Sequence, residues 1–132
     1  MVIIDTSIWV DVLRGGDSSS QIEVERLIRE RQAATVGIIY AEVLRGARDD
    51  DEIASLLRYL DNSSSFIDSR KSTLTLAGRL LSDLDRKGTS IPLPDAVIAA
   101  HALEGKHAIF TRDEHFRRVP DLRLHVASGG VG

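Results

Sequence analysis

Four acidic side chains are the residues of this sequence best equipped for chemistry: Asp5, Glu42, Asp95 and Asp113. Asp5 directly follows the apolar run Val2–Ile4, and Asp113 follows Ala108–Phe110. Glu42 lies in a helical pattern after Ala33–Val36, and Asp95 opens another just after Pro94. The chain has no cysteine, which removes disulfides, thiol catalysis and cysteine-ligated metals together. His101, His107, His115 and His125 lack the spacing of a histidine metal motif. Structural or surface roles suit them, and His115 is the one placed to face the acids. Carboxylates gathered at one place repel one another, and their natural partner is a hard divalent cation such as Mg²⁺ or Mn²⁺. Such an ion holds phosphates, lowers the pKa of a bound water and stabilises an in-line displacement. With no catalytic His or Cys, the acids point to metal-assisted phosphodiester hydrolysis.

Each acid also has a plainer explanation. Asp5, Asp95 and Asp113 suit helix N-termini, where a carboxylate meets unpaired N–H groups. Thr111-Arg112-Asp113-Glu114 reads as a capping box, as does Ser20-Gln21-Ile22-Glu23. Glu42 resists this reading, because Ile39 and Ile38 lie three and four residues before it. Asp95 sits among Pro92, Leu93, Ala96, Val97 and Ile98. A lone carboxylate in apolar surroundings is costly and calls for a cation. The formal net charge is −3, and setting the four acids aside leaves a slightly basic remainder. Of the 17 cationic residues 14 are Arg, which suits bidentate phosphate contact, although GC-rich coding explains that equally well. Arg14, Arg45 and Arg112 lie near the expected mouth of the site. Asp11, one turn past Ser7, is a weak candidate ligand.

The elements that must position these acids alternate. Val2–Ile4, Ala33–Val36, Phe66-Ile67 and Ala108–Phe110 read as short buried strands, with a weaker fifth at Leu122–Val126. Helices fill the intervals: Ile8–Leu13, one opening at Ser20, Ile38–Ala47, one beginning at Asp49, Leu74–Leu84, and Ala96–Leu103 ending at Gly105. Pro94 suits a first turn. The glycine-rich tail after Val126 reads as loose. Strands alternating with helices predict one domain over 1–132, a three-layer α/β/α sandwich around a mostly parallel sheet of four to five strands. In such sheets the working site lies beyond the carboxyl ends of the strands. The longest stretch without Asp, Glu, Lys or Arg is Gln32–Ala41, far short of the ~18 residues that span a bilayer. Asp5 interrupts the only N-terminal apolar run, so no signal peptide is expected. The expectation is a cytoplasmic protein with no membrane association.

Four blocks, "IIDTSIWVDVL", "YAEVLRGA", "LPDAVIAAHAL" and "AIFTRDEHFRRVPDLRL", resemble the PIN-domain ribonucleases, and most of all the VapC-type toxins of bacterial toxin–antitoxin pairs. The likeness runs from Val2 to Val126 in family order. It implies a PIN-like fold and a Mg²⁺- or Mn²⁺-dependent endoribonuclease that leaves a 5′-phosphate. The catalytic acids would be Asp5, Glu42, Asp95 and Asp113, with Asp5, Asp95 and Asp113 as metal ligands and Thr6 and Thr111 in support. A cognate antitoxin protein, an RNA substrate and a homodimer are the implied partners. Trp9, on the apolar stripe of the first helix, is a core residue or a residue gripping the antitoxin; the resemblance favours the second. The chain departs from the pattern at His115, where many relatives carry a further acid just before the phenylalanine that is Phe116 here. That puts a second metal in doubt.

Three other readings compete. A phosphoacceptor receiver module would use Asp68 after the third strand. It would also need adjacent acids after the first strand, where Thr6-Ser7 stand, and a lysine after the fifth, where Val126-Ala127-Ser128 stand. A haloacid-dehalogenase-type phosphatase needs a second Asp at Ser7. A PIN fold that only binds partners fits poorly with four intact acids.

Overall fold

The computed structural model describes residues 1–127. The strands are β1 (Val2–Ile4), β2 (Ala33–Val36), β3 (Ser65–Ile67) and β4 (Ala108–Phe110). The helices are α1 (Thr6–Leu13), α2 (Ser18–Arg29), α3 (Gly37–Arg45), α4 (Asp50–Ser63), α5 (Lys71–Arg86) and α6 (Leu93–Gly105), followed by a 3₁₀ turn at Glu114–Arg118. All strand pairs are parallel, in the order β3-β2-β1-β4. With six helices flanking the sheet, this is the expected three-layer α/β/α arrangement.

Burial follows strand position. Every residue of β1 and β2 is buried, as central parallel strands covered on both faces must be. β3, at the edge, leaves Ser65 and Phe66 exposed. The core gathers Ile3, Ile4, Ile8, Trp9, Ile39, Leu60, Ile98, Ile109 and Phe116. Within α6, Ala96 to Ala102 are all buried, so this helix has no polar stripe and lies inside the fold.

Strand order explains where the acids meet. The chain progresses from β1 to β3 in one direction, then crosses back to place β4 on the other side of β1. The reversal between β1 and β4 is a topological switch point, beyond whose carboxyl ends open α/β sheets bind their ligands. The Asp5 amide donates to the Phe110 carbonyl at 2.9 Å, tying the two strand ends together. The same order disposes of the receiver reading. A receiver's flavodoxin-like order places its third strand beside its first, whereas β3 here is two strands away and Asp68 is exposed at its end.

Several local expectations are corrected. The α2 helix begins at Ser18 and is capped by Asp17, whose carboxylate accepts from the Ser20 amide and from the Ser19 and Ser20 hydroxyls. Ser20 is therefore inside the helix and no longer free to cap it. Leu122–Val126 forms a single parallel bridge, Leu124 to Ile109, in place of a fifth strand. The expectation for the glycine-rich tail, and Ser128 with it, lies outside the described residues.

Candidate active site

Asp5 is the N-cap of α1, so its plainer role is real, but it uses only part of the carboxylate. Oδ1 accepts from the Thr6 amide at 2.8 Å. Oδ2 takes the Thr111 hydroxyl at 2.7 Å and the Ser7 hydroxyl at 3.4 Å. Thr111 in turn accepts from the Asp113 amide at 2.9 Å, so one threonine links the acids after β1 and β4. The expected Thr111 capping box does not form. Asp113 caps the 3₁₀ turn, accepting from the His115 amide at 2.9 Å, because Thr111 is already engaged with Asp5.

Asp95 reaches the same place by topology. Helix α6 feeds β4 at its amino end, so the start of α6 lies at the carboxyl edge of the sheet. Asp95 is in the first turn but does not cap it; Pro92 occupies the N-cap without a side-chain bond. Its Oδ2 lies 3.2 Å from His115 Nδ1, which is also 3.0 Å from Asp113 Oδ1. One ligand atom from each of Asp95, Asp113 and His115 lies within 4.8 Å of the others, a spacing that could close on one metal ion.

The electrostatics bind Asp5 to this group. Burial raises the Asp5 carboxyl above its usual range, and the charge of Asp113 adds to that, while the Thr111 and Thr6 hydrogen bonds pull it back. Burial is also the main reason that Asp95 is pushed up to about 6; repulsion from Asp113 and Asp5 adds to it, and His115 opposes it. Two part-buried carboxyls whose ionisation burial and the neighbouring Asp113 charge disfavour form a site that a divalent cation would relieve. Their oxygen-rich donor set suits such an ion.

Glu42 corrects its expectation. Ile39 and Val43 form the buried stripe of α3, and Glu42, one residue off that stripe, is exposed. It needs no buried cation. It still joins the site's rim, accepting from the Thr6 hydroxyl at 2.9 Å. Thr6 therefore supports Glu42 with its hydroxyl and Asp5 with its amide.

Arg112 is exposed but already paired. Its Nη2 donates to Asp11 Oδ2 at 2.8 Å, Asp17 Oδ2 at 3.1 Å and the Ser20 hydroxyl at 2.7 Å. Asp11 is thereby the partner of an arginine rather than a site ligand. Arg14 lines a groove of about 540 Å³ with Val10, Leu13, Val43, Gly46 and Leu56, apart from the acids. Trp9 is fully buried and packs edge-on against Tyr59, with centroids 5.9 Å apart. It is a core residue, the first of its two expected roles, and not the partner-gripping residue that the resemblance favoured. Sequence reasoning also passed over Ser7 as a bond to Asp5; its position two residues past the N-cap was the available signal.

Comparison with known proteins agrees with this fold. The family model described as PIN domain matches residues 2–122. The chain is similar to the VapC ribonuclease Mb1587 of Mycobacterium bovis, 32% identical over 120 residues, covering 88% of this chain and 89% of the relative. It is 26% identical over 126 residues to Ribonuclease VapC2 of Rickettsia felis, covering 92% and 94%. Its fold superposes on VapBC2 from Rickettsia felis, solved with a DNA fragment from the promoter, with a TM-score of 0.81 at 25% identity over 95% of this chain and 98% of that one. DNA-bound VapBC from Salmonella typhimurium gives a TM-score of 0.81 at 19% identity, covering 94% and 96%.

Proposed function

The chain belongs to the PIN domain family, and from that premise we propose that it is a metal-dependent endoribonuclease, the toxin of a toxin–antitoxin pair. The observation that carries the reading is the meeting of Asp5, Asp95 and Asp113 at the β1/β4 switch point, where burial first and the charge of Asp113 next raise the carboxyls of Asp5 and Asp95. Ribonuclease names among the relatives support the substrate class, and the toxin–antitoxin complexes among the structural neighbours support a protein partner.

Asp5, Asp95 and Asp113 would hold a Mg²⁺ or Mn²⁺ ion. When bound, the ion supplies the positive charge that activates water and neutralises the phosphodiester in an in-line displacement. The chain's own groups do the rest. Thr111 and the Thr6 amide hold the Asp5 carboxylate in one orientation. Thr6 directs Glu42, which is exposed and able to take a proton from an attacking water. An RNA strand would lie across this open edge, and the scissile bond would be chosen by the residues around it. The antitoxin would lay an apolar segment in the groove of Val10, Leu13, Val43 and Leu56, where Leu13 is 38% exposed. The family likeness also supports a cytoplasmic homodimer, which light scattering of the purified toxin would reveal.

Purified protein freed of its partner should cleave structured RNA in Mg²⁺ or Mn²⁺ and stop in EDTA. Asp5→Asn should lower the rate by about 100-fold or more, as loss of a group stabilising the transition-state charge does. Undiminished cleavage in EDTA would refute the metal mechanism, and near-full activity of the Asp5 variant would refute the site.

A further inference from the structure

The site contains one donor that is not an oxygen. His115 stands just before Phe116, which is fully buried and anchors the 3₁₀ turn in the core. The backbone there is further pinned by the bond from the His115 amide to Asp113 Oδ1 at 2.9 Å. With its main chain held at both points, the ring has little freedom except about its own side-chain torsions. Nδ1 is the nitrogen turned inward, 3.0 Å from Asp113 Oδ1 and 3.2 Å from Asp95 Oδ2. One donor atom from each of Asp95, Asp113 and His115 falls within 4.8 Å of the others, so the three residues would be able to hold one ion together.

We propose that His115 Nδ1 is a metal ligand, making this a mixed nitrogen–oxygen centre selective for first-row transition ions over Mg²⁺. The inference rests on the metal-dependent reading above and narrows it to a class of ion. Mg²⁺ demands octahedral oxygen coordination and sheds water reluctantly, so an imidazole in its shell gains it little. Imidazole suits first-row transition ions better, and their affinity at such sites rises from Mn²⁺ to Cu²⁺ and falls at Zn²⁺. A carboxylate at position 115 would give an all-oxygen site and would remove that discrimination. The other three histidines offer no substitute: His101 bonds Ser69, His107 lies beside the N-terminal amine, and His125 faces Glu23.

Pulsed electron paramagnetic resonance of the Mn²⁺-loaded toxin reads the ligand directly, without activity. The expected result is nitrogen modulation from a bound imidazole, lost in His115→Asp and in His115→Gln. Titration calorimetry with Mn²⁺ and Mg²⁺ on the same proteins should show the preference for Mn²⁺ falling about tenfold in His115→Asp. Circular dichroism identifies a variant that fails to fold, and the spectrum of the parent stands without either variant. Mn²⁺ that binds the parent with no nitrogen modulation overturns the proposal and leaves the metal-dependent reading intact. Modulation that persists in both folded variants also overturns it, by assigning the nitrogen elsewhere. No Mn²⁺ binding at all removes both.

Discussion

Asp95 shows how one residue carries a functional strain. Its carboxyl is pushed up to about 6 by burial first and by Asp113 and Asp5 next. A folded pKa above the unfolded value of about 3.8 means that the folded state holds more protons. The stability this group contributes is full below about pH 3.8 and is lost as pH rises through about 6. In EDTA, Asp95→Asn should therefore match the parent at low pH and melt a few degrees higher at pH 7. In Mn²⁺ the order should reverse, because an ion bound only by the native state stabilises by mass action and the variant binds it weakly. Melting curves of both proteins at pH 4 and pH 7, with and without Mn²⁺, check this. A variant that loses stability at pH 7 in EDTA would show Asp95 to be a packing residue.

The segment after β4 carries Thr111 and Asp113, with His115 in the 3₁₀ turn that follows, and it is held to the rest of the molecule from one side by Arg112. A single nitrogen of that guanidinium ties the segment to Asp11 of α1 and to Asp17 and Ser20 at the start of α2. Asp11 lies under Gly16, so close that any larger residue at that glycine would collide with its carboxylate. Arg112→Ala should loosen Asp113 relative to Asp5 and lower cleavage about tenfold or more with little change in RNA affinity, since its guanidinium is already paired with Asp11 and Asp17. Arg112→Lys should recover only part of the loss, because a lysine lacks the planar fork. Cleavage rates and RNA binding measured side by side distinguish this from a phosphate contact, whose loss would weaken binding first.

On the scale of the whole molecule, the apolar surface left for a partner is not the one the first helix suggests from its sequence. Trp9 is consumed by the core against Tyr59, and its indole N–H has no hydrogen-bond partner among the described residues. Leu13, at the other end of α1, opens into the groove shared with Val43 and Leu56. Trp9→Ala should cost about 3–5 kcal/mol of stability, as a large core truncation does. Leu13→Asp should leave the melting temperature nearly unchanged and weaken the antitoxin complex about tenfold or more. Calorimetric affinities against the antitoxin test the pair. Unchanged affinity of Leu13→Asp would move the interface elsewhere.

The pattern of residues in the chain sufficed for much of this architecture. The apolar runs Val2–Ile4 and Ala33–Val36 fit central strands of a parallel sheet, which is apolar on both faces, and their alternation with helices favoured that reading. Alternation with helices then placed Asp5 and Asp113 at the carboxyl edge. Local spacing could not decide how carboxylates share their bonds. Thr111 looked like a helix cap and instead donates to Asp5, a residue 106 positions away. Glu42 looked enclosed by isoleucines and is exposed, because a shift of one residue turns a helical side chain by about 100°. Arg112 looked free to meet phosphate, and long-range pairing with Asp11 and Asp17 holds it. The sequence determined the residue types and the edge at which they gather, because both follow from short periodic patterns. Tertiary packing alone decided the partner of each polar group, because hydrogen bonds and repulsion act between atoms brought together from distant parts of the chain.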